Sequence, residues 1–242
     1  MYIGKIQEII RHPVKSFQGE RVSHTHVMEY GLYGDRSHAF VHNTNLNKYV
    51  TITQFPQMAG FQARFTGEEG LQQYPRVEVT TPEGQKFYFG DADLTQKLEQ
   101  MYNKQIVPVE FAPEHVPLGA IEEEHIQFVT DASIRALEAL WENKEVDPRR
   151  FRPNFVLSLV EKIPFIEEEW FGKRIRIGEN VILKIKRSCE RCSIINVHPE
   201  NTKKDPSLLK KVAKERNNQF GVYASVLQTG IIRADDQVFL LD

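Results

Sequence analysis

Alternating apolar and polar positions dominate this chain, and they predict strands before anything else. In residues 173–187 (KRIRIGENVILKIKR), Ile175 and Ile177 precede Gly178-Glu179-Asn180, and Val181, Leu183 and Ile185 alternate after it. Period two puts these side chains on one face of a hairpin. A weaker copy flanks Pro82-Glu83-Gly84, with Val77 and Val79 before it and Phe87 and Phe89 after. Val222–Leu227 and Val238–Leu241 read as further strands. Helical spacing is rarer. Leu94, Leu98, Met101 and Tyr102 share a face behind Asp91 or Asp93 as cap, and Ile134, Leu137, Leu140 and Trp141 do so behind Thr130 or Asp131. Asp205-Pro206 predicts a third helix, with proline at its first position and Leu208, Leu209 and Val212 on its apolar side.

The stretch 112–124 (APEHVPLGAIEEE) breaks this periodicity with proline and acid, and marks the expected boundary between two strand-rich halves. The pattern predicts an α+β, mainly β protein of mostly antiparallel strands. At 242 residues, 40% hydrophobic and 26% charged, the chain can bury a core without staples. A net charge of -2 supplies no global field to recruit nucleic acid. No apolar run approaches the ~20 residues of a membrane span. The expectation is a soluble, cytoplasmic protein with neither nucleic acid nor membrane as partner.

Cys189 and Cys192 are the only two cysteines, spaced as CxxC. That count excludes a secreted disulfide framework and a four-cysteine iron–sulfur cluster within the chain. Three readings stay open on the residues alone. A redox dithiol would normally open a helix, whereas this pair follows a strand. A zinc site needs two more ligands, for which only His12 and His198 offer themselves. The bland reading buries both thiols in a strand–loop corner. Arg187, Arg191 and Lys186 crowd the pair, and nearby positive charge pulls a thiol toward thiolate, which is both a nucleophile and a soft-metal ligand.

Four short motifs carry further candidates. In RRFRPN (149–154), Pro153 predicts an extended Arg152, and the arginines suit an oxyanion if they are not simply a solvated loop. HPVKS (12–16) places Lys15 and Ser16 after a rigid turn, and GDR (34–36) puts Arg36 beside another. TDAS (130–133) opens the second helix, where free N–H groups and the hydroxyls of Thr130 and Ser133 either bind an anion or merely cap. His38, His42, His115, His125 and His198 show no spacing that suggests a metal face. Lys203-Lys204 and Lys210-Lys211 make the third helix basic.

Taken in order, these fragments resemble the MOSC family, named for the C-terminal domain of molybdenum-cofactor sulfurases. HPVKS, GLYGDRSHAFV and ITQFPQMA resemble the β-rich domain that precedes MOSC in many members. VTDAS, RFRPN, RIRIGENV, CERC and the FGVYASVL…GIIRADDQV tail resemble the MOSC domain itself. The resemblance implies a β-barrel MOSC domain over 112–242 and a smaller N-terminal domain over 1–111, with a molybdenum cofactor (Mo-pyranopterin) between them. It makes Cys192 the catalytic thiolate on the metal. It assigns cofactor binding to Lys15, Ser16, Arg36, Thr130, Ser133, Arg152, Asn154 and Arg191. Members such as the mitochondrial amidoxime-reducing component and its bacterial relatives reduce N-hydroxylated compounds. This implies a molybdenum-dependent oxidoreductase acting on a small N-hydroxylated substrate. No further cysteines could carry electrons, so a separate electron-transfer protein is expected, with the basic 203–216 segment as its docking surface. The alternative is a carrier that delivers persulfide sulfur from Cys192 or Cys189, or intact cofactor. A third reading is a structural or dithiol module with no cofactor. His198 departs from the family pattern, standing where aspartate is frequent.

Overall fold

The computed structural model describes residues 1–142 and 144–242. Its strands, in chain order, are β1 (Tyr2–Arg11), β2 (Glu20–Val22), β3 (His24–Met28), β4 (Gly31–Leu32), β5 (His38–His42), β6 (Asn45–Tyr49), β7 (Gln62–Phe65), β8 (Val77–Thr80), β9 (Lys86–Tyr88), β10 (Ile106–Glu110), β11 (Ile126–Thr130), β12 (Phe155–Leu159), β13 (Arg174–Ile177), β14 (Val181–Glu190), β15 (Gln219–Gln228), β16 (Gly230–Arg233) and β17 (Gln237–Leu240). The helices are α1 (Ala92–Tyr102), α2 (Leu118–Ile121), α3 (Asp131–Leu140) and α4 (Ser207–Arg216).

Seven strands close a barrel in the order β12-β11-β15-β14-β13-β17-β1, with β1 returning to pair with β12 and β2 appended to β1. Only β11 and β12 run parallel within it. Alternation explains the closure. Ile175 and Ile177 of β13 and Val181, Leu183 and Ile185 of β14 enter one buried core, joined by Ile6 and Ile9 of β1, whose three-residue spacing is accommodated by a register shift between Ile6 and Glu8. The expected hairpin forms as β13–β14, with Ile177 opposite Val181, and the weaker one as β8–β9, with Val79 opposite Phe87. Among the described residues three small antiparallel sheets are added to the barrel, two of them drawn wholly from the N-terminal half.

The two halves exchange strands. β1 sits in the barrel of the C-terminal half, while β16 leaves that half to pair with β3. Aromatic side chains fill the N-terminal core, where Phe17 stacks on Phe61 and packs against Phe40. A third core lies under α3 and α4, built on Trp141, Phe151 and Phe220. Thr130 caps α3, its Oγ1 accepting from Ser133 N at 3.2 Å. α4 starts at Ser207, slightly later than Asp205-Pro206 predicts. Asp205 still satisfies an end group, accepting from Ser207 N at 2.9 Å. Among the described residues no helix is long and apolar enough to cross a membrane.

Candidate functional site

β1 ends at Arg11 and hands the chain to HPVKS, which folds back against GDR. His12 N donates to Asp35 Oδ1 at 2.7 Å, and Lys15 N to the His38 carbonyl at 2.8 Å. This lock buries Lys15, Ser16, Asp35 and Arg36. Gly34 makes the turn with φ +67, where a Cβ would meet the Phe65 ring at 2.5 Å. Lys15 Nζ donates to the carbonyls of Ala120 (2.8 Å) and Ile121 (3.4 Å) at the end of α2, and lies 3.6 Å from Glu122 Oε1. Burial pushes the Lys15 ammonium down from its usual range, with Glu122 opposing.

Arg36 is held by the neighbouring carboxylate of Asp35, which is fully buried and also accepts from Asn154 Nδ2 at 3.1 Å. Burial works against the Arg36 charge, but Asp35 and Glu122 together outweigh it and hold its pKa up. Arg36 Nη2 donates to the Arg152 carbonyl at 3.2 Å, and Arg152 Nη1 to the Phe17 carbonyl at 2.8 Å. Arg152 has no carboxylate of its own within ion-pair distance among the described residues. Burial, then repulsion from Arg36, lowers its pKa to about 9. Arg36 Nε and Arg152 Nη2 are buried without a hydrogen-bond partner among the described residues.

The RRFRPN segment corrects the sequence reading. Arg152 is not extended before Pro153. It lies in the left-handed region (φ 55, ψ 45), closing a short 3-10 helix, Pro148–Phe151, through a 3.1 Å bond from its N–H to the Arg149 carbonyl. Proline disfavours the right-handed α region for its predecessor, and the local helix end selected the left-handed well instead of the extended one. Nor is the segment a solvated loop, since Arg150 and Arg152 are both buried.

The cysteines part company where β14 ends. Cys189 is inside the strand and buried, and burial pushes its thiol up despite the nearby Arg191. For Cys189 this overturns the expectation that neighbouring cations favour the thiolate, because desolvation is the larger effect. Cys192 is exposed and opens the 3-10 helix Ser193–Asn196. Arg191, between them, turns inward. Its Nε donates to the Phe220 carbonyl at 2.8 Å and its Nη1 to the Phe151 carbonyl at 3.1 Å. Arg187 pairs instead with Glu123 at 2.6 Å.

One carboxylate reports where the cations converge. Glu122 reaches the cluster from the acidic 112–124 segment. Its side chain is 44% exposed, and Lys15, Arg36, Arg152 and Arg191 together hold its pKa down against partial desolvation. These four predicted residues therefore share one electrostatic locus, and Ser16 lies next to Lys15. Asn154 serves the cluster indirectly. Its Oδ1 accepts from Gln127 N at 3.0 Å while its amide steadies Asp35. Thr130 and Ser133 are engaged elsewhere. Thr130 Oγ1 donates to Glu167 Oε2 (3.2 Å), and Ser133 Oγ accepts from Phe165 N (2.8 Å). Sequence reasoning missed Asp35 and Glu122. Asp35 had a local signal, being the centre of GDR, whereas nothing local marked Glu122 among three consecutive glutamates.

Comparison with known proteins bears on this arrangement. Residues 87–239 match the family described as MOSC domain, and residues 3–132 the MOSC N-terminal beta barrel domain. A stretch of 77 residues, 31% of the chain, is 42% identical to molybdenum cofactor sulfurase of Caenorhabditis elegans. A stretch of 128 residues, 47% of the chain, is 33% identical to mitochondrial amidoxime-reducing component 1 of Xenopus laevis. The chain spans only 10% and 35% of the lengths of these two curated relatives. The crystal structure of the YuaD protein from Bacillus subtilis shares the fold, with a TM-score of 0.52 at 13% identity over 98% of this chain and 97% of that one.

Proposed function

The chain belongs to the MOSC domain family, and from that premise we propose that it binds a molybdenum–pyranopterin cofactor and reduces N-hydroxylated compounds. One observation carries the reading. An exposed thiol, Cys192, adjoins Arg191, one of four cations that converge beside two unpartnered guanidinium nitrogens. These residues suit the group, because a soft thiolate ligand is open to solvent and the cations match an anionic phosphate. When bound, the cofactor supplies two-electron redox chemistry.

The chain's own residues do the rest. Cys192 provides the metal-binding thiolate. Lys15, Arg36, Arg152 and Arg191 neutralise the ligand's negative charge, with Ser16 beside Lys15. Asp35 and Asn154 hold Arg36 in position. Thr130 and Ser133, whose hydroxyls are directed at Glu167 and the chain near Phe165, act through the packing of α3 on the barrel. In the net reaction the N–O bond of the substrate breaks, two electrons and two protons enter, and the N–H product leaves with water. The electrons come from a separate redox protein, for which exposed Lys203, Lys204 and Lys210 offer a basic docking surface.

The test is the molybdenum and pterin content of full-length protein from a molybdenum-replete host. Wild type and Cys189→Ser are expected to retain one molybdenum per chain, and Cys192→Ser none. Equal loss in both variants, or no metal in wild type while the host's cofactor synthesis works, overturns the proposal. The similarity to a cofactor sulfurase favours one second reading, persulfide transfer from Cys192. It predicts a 32-Da adduct on that residue after treatment with a cysteine desulfurase.

A further inference from the structure

A cavity of about 250 Å³ opens beside the cluster and shares only Arg152 with it. Cys192, Lys15, Arg36 and Arg191 do not line it. Four arginines (Arg21, Arg149, Arg150 and Arg152) and His12 supply its polar wall, and no carboxylate lines it. Ile10, Ile52 and Ile194 supply the apolar side. Two of the arginines are already neutralised, Arg21 by Glu8 at 2.7 Å and Arg149 by Asp147 at 2.6 Å. The other two are not. Arg150 donates to the Ile195 carbonyl (3.1 Å) and Arg152 to that of Phe17 (2.8 Å), and neither meets a carboxylate among the described residues.

His12, Arg150 and Arg152 are each more than nine-tenths buried. Among the described residues Arg152 Nη2 has no hydrogen-bond partner, nor has either ring nitrogen of His12. Gly19 keeps this wall tight, since a Cβ there would meet His12 Nδ1 at 2.6 Å. Buried guanidinium groups with spare donors are costly unless an anion completes them, and an oxyanion accepts from two such donors at once. The volume restricts the ligand. An apolar cavity of about 150 Å³ admits benzene, and sites for drug-sized ligands begin near ~300 Å³. This one holds a single ring or short branched chain with one charged group.

We propose that the cavity is a binding site for a small ligand bearing one oxyanion, a phosphate monoester or a carboxylate, on a compact apolar body. Arg150 and Arg152 grip the oxyanion, His12 adds a ring nitrogen, and Ile10, Ile52 and Ile194 receive the apolar part. Cys192 does not line this cavity, and Arg152 is the one residue it shares with the proposed cofactor cluster.

The experiment is calorimetric titration of the full-length protein with phenyl phosphate, benzoate and inorganic phosphate, at measured molybdenum content. Saturable one-site binding of phenyl phosphate or benzoate, at least tenfold tighter than inorganic phosphate, is expected. Which of the two binds more tightly identifies the oxyanion. Arg150→Met should weaken that affinity at least tenfold and Arg150→Lys less. Arg21→Glu, at an exposed position, should weaken it several-fold. Lys15→Met should leave it unchanged, as should the molybdenum content. Absence of saturable binding by any probe overturns the proposal. So does binding that Lys15→Met abolishes and Arg150→Met spares, or binding that disappears in molybdenum-loaded protein, since each moves the anion to the Cys192 cluster.

Discussion

Ser16 (φ 73), Arg36 (φ 53) and Arg152 (φ 55) all occupy the left-handed region without being glycine, and all three belong to the cluster. Each such residue costs roughly 1–2 kcal/mol, and strain of this kind concentrates where a structure must aim particular side chains. Asp35 ties together the segments on which these residues sit. Its carboxylate accepts from His12 N, Arg36 and Asn154 within a fully buried pocket, and it is the only carboxylate touching the Arg36–Arg152 pair among the described residues. Asp35→Asn removes the one carboxylate in direct contact with the buried Arg36–Arg152 pair among the described residues and leaves only the more distant charge of Glu122. It is expected to destabilise the protein by about 3 kcal/mol or more, read from the urea midpoint. A loss below ~1 kcal/mol would mean that hydrogen bonding to carbonyls alone supports the arginines.

At the scale of elements, the end of β14 and the start of α3 decide what their polar residues do. The strand's last residues bury Cys189, and the turn after it exposes Cys192, so one CxxC yields two chemically different thiols. At α3, the cap is also the lid on Glu167, a carboxyl only 1% exposed. Burial pushes Glu167 up from its ordinary 4.5, against the hydroxyls of Ser133 and Thr130. A raised folded-state pKa favours the native state fully below the unfolded value, and that contribution is lost as pH rises through the folded value. Glu167→Gln removes the titration. The variant's stability relative to wild type should therefore grow as pH rises from about 4.5, measured by denaturant unfolding at pH 4.5, 5.5 and 7. A difference independent of pH would show that Glu167 titrates alike folded and unfolded.

For the whole molecule, β1 is the closing strand, bonded on one side to β12 and on the other to β17. Removing residues 1–11 opens two long edges and strips Ile3, Ile6 and Ile9 from the barrel core. Such a chain is expected to lose its cooperative urea transition and to aggregate. A retained transition of wild-type steepness would mean that the barrel closes without β1. The hairpins β8–β9 and β13–β14 and helices α1 and α3 were legible in the sequence, with the α3 cap narrowed to Thr130 or Asp131, because period-two and period-3.6 burial are local consequences of backbone geometry. So were the motifs HPVKS, GDR, RFRPN and CERC as places to look. Their joint meaning was not local. Asp35, Glu122 and the 112–124 segment acquire roles only when residues some hundred positions apart are brought together, and Arg152's backbone well was chosen by a helix end that periodicity does not reveal. Which thiol is exposed, which guanidinium lacks a partner and which strand closes the barrel depend on desolvation and long-range pairing. The sequence by itself determined the elements and the inventory of charges. Only the tertiary structure decided which of those charges are buried together, because burial is a property of the packed chain.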